Sequence, residues 1–158
     1  MDFDTAFDKL IGHEGAYSNN AADPGGETMW GVTAKVARVN GYTGEMRYLS
    51  RDTAKAIYKR LFWDAVKADQ LPDEVRYPLF DAAVNSGVGQ AIKWLQRAVD
   101  TVDDGILGPV TIAAAAKDAK GAAVKMLAFR LDFMTSLPTF GQFGKGWSRR
   151  VASILMEV

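Results

Sequence analysis

Cysteine is absent from this sequence, which excludes disulfides, thiolate nucleophiles and Cys-ligated metals. Histidine is nearly absent: His13 is the single imidazole among 158 residues. That removes the usual multi-histidine zinc hydrolase site, which needs at least two imidazoles or one with several carboxylates. A Ser-His-Asp triad would have to use His13, and no Gly-x-Ser-x-Gly elbow accompanies it. Charge of one sign is lacking as well, because 19 Lys and Arg balance 19 Asp and Glu. No basic run extends beyond Arg149-Arg150, so nothing argues for nucleic acid. Long apolar runs are missing too. No stretch reaches the ~20 residues of a membrane span, and the uncharged run Gly105 to Ala116 is interrupted by Pro109. The N-terminus carries Asp2 and Asp4 and no apolar core of signal-peptide length. These absences lead us to expect a soluble monomer made in a reducing cytoplasm, without metal or cofactor. Its chemistry must lean on carboxylates and hydroxyls.

What is present suits a helical domain. Hydrophobic residues make up 48% of the chain and include Trp, Phe, Tyr and Met, enough for a core without covalent staples. A first helix is expected from about Asp4 to His13, with Phe3, Phe7, Leu10 and Ile11 at i, i+4, i+7 and i+8. Gly12 and Gly15 end it and leave Glu14 at its C-terminal edge. The segment from Gly15 to Gly31 is rich in Gly, Asn, Asp and Pro and reads as a loop or small irregular hairpin. Ordered connections of that length are usually functional.

Thr33 is expected to cap a helix through Val39, closed by Asn40-Gly41. Ser50 is expected to cap another, striped by Ala54, Ile57, Tyr58 and Leu61. Pro72 to Ser86 forms the next, kinked or divided at Pro78 and stopped by Gly87. In Gln90 to Thr101 the inward face is Ala91, Ile92, Trp94, Leu95, Ala98 and Val99. Asp103-Asp104-Gly105 and Gly108-Pro109 bracket a turn, with Pro109 opening the following helix. Ala122 to Ser136 and Gly146 to Glu157 complete the set, separated by the glycine-rich run Gly141 to Gly146. The pattern is mainly α, and it still runs at Val158, which leaves a natural continuation open.

One stretch carries chemistry: Glu14-Gly15-Ala16-Tyr17, then Asp23-Pro24-Gly25-Gly26-Glu27-Thr28-Met29-Trp30-Gly31-Val32-Thr33. Glycosidic cleavage needs a carboxylic acid protonated near neutral pH and placed against the leaving oxygen. A Glu at a helix C-terminus beside apolar groups has its neutral form favoured by desolvation and by the helix dipole. A second carboxylate or hydroxyl then positions water or stabilises the transition state. Asp23 and Thr28 lie across a glycine-rich turn, while Tyr17 and Trp30 offer flat faces for a sugar ring. Each residue also has a plainer reading. Glu14 can be a solvated helix end, Asp23-Pro24-Gly25 a simple turn, Trp30 core and His13 a helix-end residue. The residues alone support a candidate carboxylate hydrolase.

The pattern E-G-x-Y followed by D-P-G-G-x-T-x-W-G-V-T resembles the signature of glycoside hydrolase family 108, phage and prophage muramidases also described as secretion activator proteins. Further features fit the same family: Leu49-Ser50 before the Ala-x-x-Ile-Tyr helix ending at Tyr58, Phe62-Trp63-Asp64, and Phe80 to Gly87. So do Leu95-Gln96, Asp104-Gly105-x-x-Gly108-Pro109-x-Thr111, Gly146-Trp147 and Arg150-Val151. The resemblance implies a lysozyme-like multi-helix fold with a small irregular or β-hairpin loop near residues 15–31. It implies cleavage of the β-1,4 bond between N-acetylmuramic acid and N-acetylglucosamine in bacterial peptidoglycan, with Glu14 as catalytic acid. It also implies a single domain whose residues 1–90 are catalytic and whose residues 91–158 form a helical lobe like a peptidoglycan-binding region. With no Pro/Ser-rich linker between them, the two are expected to pack as lobes of one cleft.

Other phage lysozymes space their Glu, Asp and Thr as E-x8-D-x5-T. Glu14 and Asp23 match the first interval; Thr28 arrives one residue early, where Met29 holds the matching place. The second catalytic group is therefore Asp23 or Glu27, with Thr28 a third candidate. Tyr17, Trp30, Tyr58 and Asn85 are the substrate-binding candidates, Asn85 as a donor to a sugar acetamide or else a helix C-cap. A lytic transglycosylase needs the Glu but no activated water, and a non-catalytic wall-binding or secretion-assisting protein needs neither. The expected setting is an endolysin made in a host cytoplasm and acting in the periplasm, reaching the wall through a holin or a membrane segment outside this chain.

Overall fold

A computed structural model describes residues 1–12, 17–21 and 25–158. The chain forms two compact units, Asp2–Leu61 and Phe62–Val158, the latter joined by Met1. This partition falls well before the functional division expected at residues 90/91.

The first unit opens with helix α1, Phe3–Ile11. Asp2 caps it by accepting the Thr5 amide at 2.9 Å, and Phe3, Ala6, Phe7 and Ile11 form its buried face. Strands β1 (Ser18–Asn19), β2 (Glu27–Met29) and β3 (Val32–Thr33) follow. They pair antiparallel in that order, with Ser18 opposite Thr28, Asn19 opposite Glu27 and Met29 opposite Val32. The small hairpin expected between residues 15 and 31 is this sheet. Thr33 ends β3 and caps helix α2 (Ala34–Val39) by accepting the Val36 amide at 3.2 Å. A 3-10 turn, Met46–Tyr48, leads to Ser50, which caps helix α3 (Arg51–Tyr58) through the Thr53 amide at 3.1 Å. Both caps stand where the sequence places them, because a Ser or Thr oxygen satisfies an orphan amide of the first turn.

The second unit is helical: α4 (Asp73–Ser86), α5 (Val88–Ala98), α6 (Pro109–Lys117), α7 (Ala119–Thr135) and α8 (Phe140–Leu155). Trp63, Leu79, Phe80, Trp94, Leu95, Met126 and Leu127 are fully buried in its core. Trp63 meets Phe80 edge-on at 5.5 Å between centroids. Two expectations need correction. Of the two readings offered for Pro78, division is overturned: α4 is one helix, since the carbonyl robbed of its partner belongs to Glu74 in the exposed first turn. Helix α8 begins at Phe140 and includes the glycine run assigned to a linker. Phe140, Phe143, Trp147, Val151 and Ile154 recur at helical spacing, and burial of Val151 and Ile154 outweighs the weak propensity of glycine. A Cβ at Gly144 would lie 2.6 Å from the Phe140 ring and force that ring to shift.

One polar cluster of the second unit is built on a buried carboxylate. Asp81, with no exposed surface, accepts from Arg130 at 2.7 Å and from two nitrogens of Arg150 at 2.6 and 2.8 Å. These bonds join α4, α7 and α8. An Asp within the apolar run P-L-F-D-A-A-V was the available sequence signal, since a buried carboxylate needs a cation. Burial foremost, and the Asp81 charge next, push the nearby Tyr77 phenol well above its ordinary range.

Candidate active-site segment

The hairpin of the first unit gives the W-G-V-T motif a physical reason. Its two-residue loop is Trp30-Gly31, with φ of 53° and 72°. Positive φ at both central positions matches the twist of the flanking strands and is the habit of type I′ turns. Glycine suits this conformation; tryptophan does not, and a left-handed bulky residue costs on the order of 1–2 kcal/mol. An anchor holds it there: the Trp30 indole N–H donates to the Leu49 carbonyl at 2.9 Å. Gly31 is constrained twice, because a Cβ on it would stand 2.5 Å from the Tyr58 hydroxyl oxygen. Val32 is buried and Thr33 caps the next helix. Each letter of the motif has its own structural duty.

Tyr17, just before β1, reaches across to β2 and donates its hydroxyl to Glu27 Oε1 at 2.5 Å. The Arg47 guanidinium lies over the Tyr17 ring, 5.5 Å from its centroid, within cation–π range. The hydrogen bond to Glu27 chiefly, with burial and the Glu27 charge adding to it, raises the Tyr17 phenol above its ordinary value. Thr28 sits half-buried in mid-strand, between Ser18 and Thr33. The structure therefore gathers Tyr17, Glu27, Thr28 and Trp30 onto one small sheet. Arg47 is the member the sequence did not reveal, since nothing in the stretch Gly44 to Leu49 around it marks it out.

Two further candidates occupy plainer positions. Tyr58 is only 6% exposed, packed edge-on against Phe7 at 5.4 Å. It is a core residue whose hydroxyl supports the Gly31 turn, not an open stacking face. Asn85 lies in α4 of the second unit, exposed, and donates its amide nitrogen to the Asp81 carbonyl at 2.8 Å. Its alternative as a helix C-cap is corrected, since Gly87 with φ of 90° takes that place. Glu14 and Asp23, and with them His13, lie outside the described residues. Among the described residues, no group of three His, Asp or Glu is disposed to hold a metal ion.

Comparison with known proteins points in one direction. The sequence model of the family Glycosyl hydrolase 108 matches residues 7–87, half of the chain. A solved structure of SagA from Brucella abortus is 32% identical to this chain. The match covers 98% of this chain and 92% of that one, with a TM-score of 0.87. No curated protein matches.

Proposed function

The chain belongs to glycosyl hydrolase family 108, and from that premise, with its lysozyme-like fold and a family chemistry of peptidoglycan-hydrolysing glycosidases, we propose a specific reaction. The enzyme hydrolyses the β-1,4 bond between N-acetylmuramic acid and N-acetylglucosamine. Glu14, as a carboxylic acid, gives its proton to the glycosidic oxygen while the C–O bond breaks. The Asp23 carboxylate orients a water and takes its proton as the water oxygen bonds to the sugar carbon. Thr28 is the third polar group of the segment, with Tyr17 and Trp30 along the sugar. The cellular setting in this reading is that of a phage endolysin acting on the wall in the periplasm.

The observation that carries the reading is the strained, anchored turn at Trp30-Gly31. Backbone strain in a bulky residue persists where the surroundings over-determine it, and such positions cluster at functional sites. Here it falls within the motif that contains Asp23 and follows Glu14.

The test is clearing of outer-membrane-permeabilised Gram-negative cells by wild type and Glu14→Gln. The variant should lose on the order of 10²–10⁴-fold of the rate, as removal of an acid–base group does. Equal clearing by the two would sink the proposal and leave a wall-binding or secretion-assisting role. Mass spectrometry of the digest should show reducing muramic ends; 1,6-anhydro ends would replace hydrolysis by transglycosylation.

A further inference from the structure

The sequence leaves two carboxylates, Asp23 and Glu27, as claimants for the second catalytic role. The geometry points to a different role for one of them: we infer that Glu27 is a positioning residue, one end of a clasp with Tyr17 and Arg47, and not an acid–base group. The inference rests on the proposed glycosidase reaction.

Three observations carry it. First, one Glu27 carboxylate oxygen already accepts the Tyr17 hydroxyl at 2.5 Å. Taking a proton from water would turn this carboxylate into a neutral acid and weaken the charge-assisted bond that it makes to Tyr17. Second, the bond spans a register pair. Asn19 stands opposite Glu27 and Ser18 opposite Thr28, so the Tyr17–Glu27 bond runs diagonally across the Ser18–Thr28 pair and braces β1 against β2 on one face. Tyr17 follows Glu14 by only three residues, so the brace ties the chain just after the proposed acid to the first residue of β2. Third, Arg47 covers a face of the Tyr17 ring and reaches there from the 3-10 turn Met46–Tyr48. That turn is followed at once by Leu49, the acceptor of the Trp30 indole. The phenol bond and the indole bond thus fasten opposite ends of β2: Glu27 at its start, Trp30 just past its finish.

A clasp and a catalytic carboxylate respond differently to an amide. In Glu27→Gln the side-chain carbonyl oxygen still accepts the Tyr17 hydroxyl, so the clasp survives while the acid–base capacity is gone. In Glu27→Ala and Tyr17→Phe the brace is lost. The experiment measures kcat, KM and the pH profile of kcat on purified peptidoglycan for wild type, E27Q, E27A, Y17F and the Y17F/E27A double variant. Thermal unfolding of each confirms that folded enzyme is compared.

For E27Q we expect kcat within about threefold of wild type and both limbs of the pH profile kept. For E27A and Y17F we expect roughly tenfold losses, mainly in kcat, as misplacement of a reacting group produces. The double variant should be no worse than either single one, since the two changes remove one interaction. E27Q as inactive as E27A, with one limb of the profile missing, would overturn the inference and make Glu27 catalytic. Additive losses in the double variant, or wild-type rates throughout, would overturn it as well. Glu14→Gln, run alongside, separates the layers: its full activity defeats the reaction proposed above, whereas its inactivity with a dead E27Q defeats only the clasp.

Discussion

Two glycine-rich turns in this protein look alike in sequence and are built in opposite ways. One is D-P-G-G-E-T-M-W-G-V-T ending at Thr33, the other D-D-G-I-L-G-P-V-T ending at Thr111. In the second, the acidic residues serve the turn itself. Asp104 accepts the Ile106 amide at 2.9 Å and the Gln96 side chain at 2.8 Å. Gln96, buried in α5, also accepts the Gly105 amide at 2.9 Å and donates to the Ile106 carbonyl at 3.0 Å. Asp103 pairs with Arg97 at 2.7 Å. Asp104 is thus spent on holding backbone, and Asp103 on tying the turn to the Arg97 side chain of α5. In the first turn the bonds run outward, from Trp30 to Leu49 and from Tyr17 to Glu27, so the turn is held by its surroundings. Similar letters thus serve a structural knot in one place and a presented segment in the other.

The contrast is broken most forcefully at Gln96. Replacing it by Leu leaves the Gly105 amide without its partner, at about 1–3 kcal/mol for an unsatisfied group shielded from water, and removes the bonds to Asp104 and the Ile106 carbonyl, at about 0.5–1.5 kcal/mol each. We expect Gln96→Leu to lower stability by roughly 2–4 kcal/mol, read as a fall in the denaturant midpoint, while kcat of the folded fraction stays at the wild-type value. A matching loss of kcat would show that the second turn takes part in the reaction. Gly31→Ala is the counterpart in the first turn. Its Cβ meets the Tyr58 hydroxyl and its φ of 72° is strained for alanine, at a cost of about 1–3 kcal/mol. Here kcat should fall at least tenfold beyond any loss of folded protein, because the turn lies within the proposed site. Unchanged kcat in Gly31→Ala would erase the distinction between the turns.

Local signals in the sequence carried much of the fold. Thr33, Ser50 and Pro109 mark helix starts by chemistry that acts within a few residues, and the structure keeps all three. The errors lie where distant contacts decide. Helix α8 runs through its glycines because Val151 and Ile154, further along it, are buried against other parts of the unit, whereas the survival of α4 at Pro78 has a local cause, the exposure of its first turn. Gln96 was legible only as part of a family pattern, because the three partners that give it its role lie eight to ten residues away around a turn. The site divides along the same line. Tyr17, Glu27 and Trp30 were legible as types in a motif, yet the Trp30–Leu49 bond spans 19 residues, and Arg47 joins Tyr17 from outside any motif. Tyr58 was legible as an aromatic on a helix stripe, and only its burial against Phe7 assigns it to the core.

The smallest expected effect sharpens the comparison by giving each turn its own pH limb. Asp104 is held below its ordinary value of 3.8, first by the Ile106 amide and then by Gln96. A group depressed on folding contributes stability that is fully present above its unfolded value and is lost as pH falls through the folded one. Tyr17 is the opposite case, raised above 10.0 chiefly by its bond to Glu27. Its contribution is present below that value and is lost as pH rises through the folded one. Asp104→Asn keeps an oxygen for both donors but removes the titration, so its Tm should differ from wild type at pH 6 and converge with it in acid below 3.8. Tyr17→Phe should differ at pH 6 and converge only in alkali, above the raised phenol value. Both groups are open to solvent, so the shifts are small and are best read as differences in Tm between paired samples across pH. Convergence of both variants on the same side of neutrality would mean that the phenol–carboxylate brace and the Asp104 knot do not hold their turns in the way their hydrogen bonds indicate.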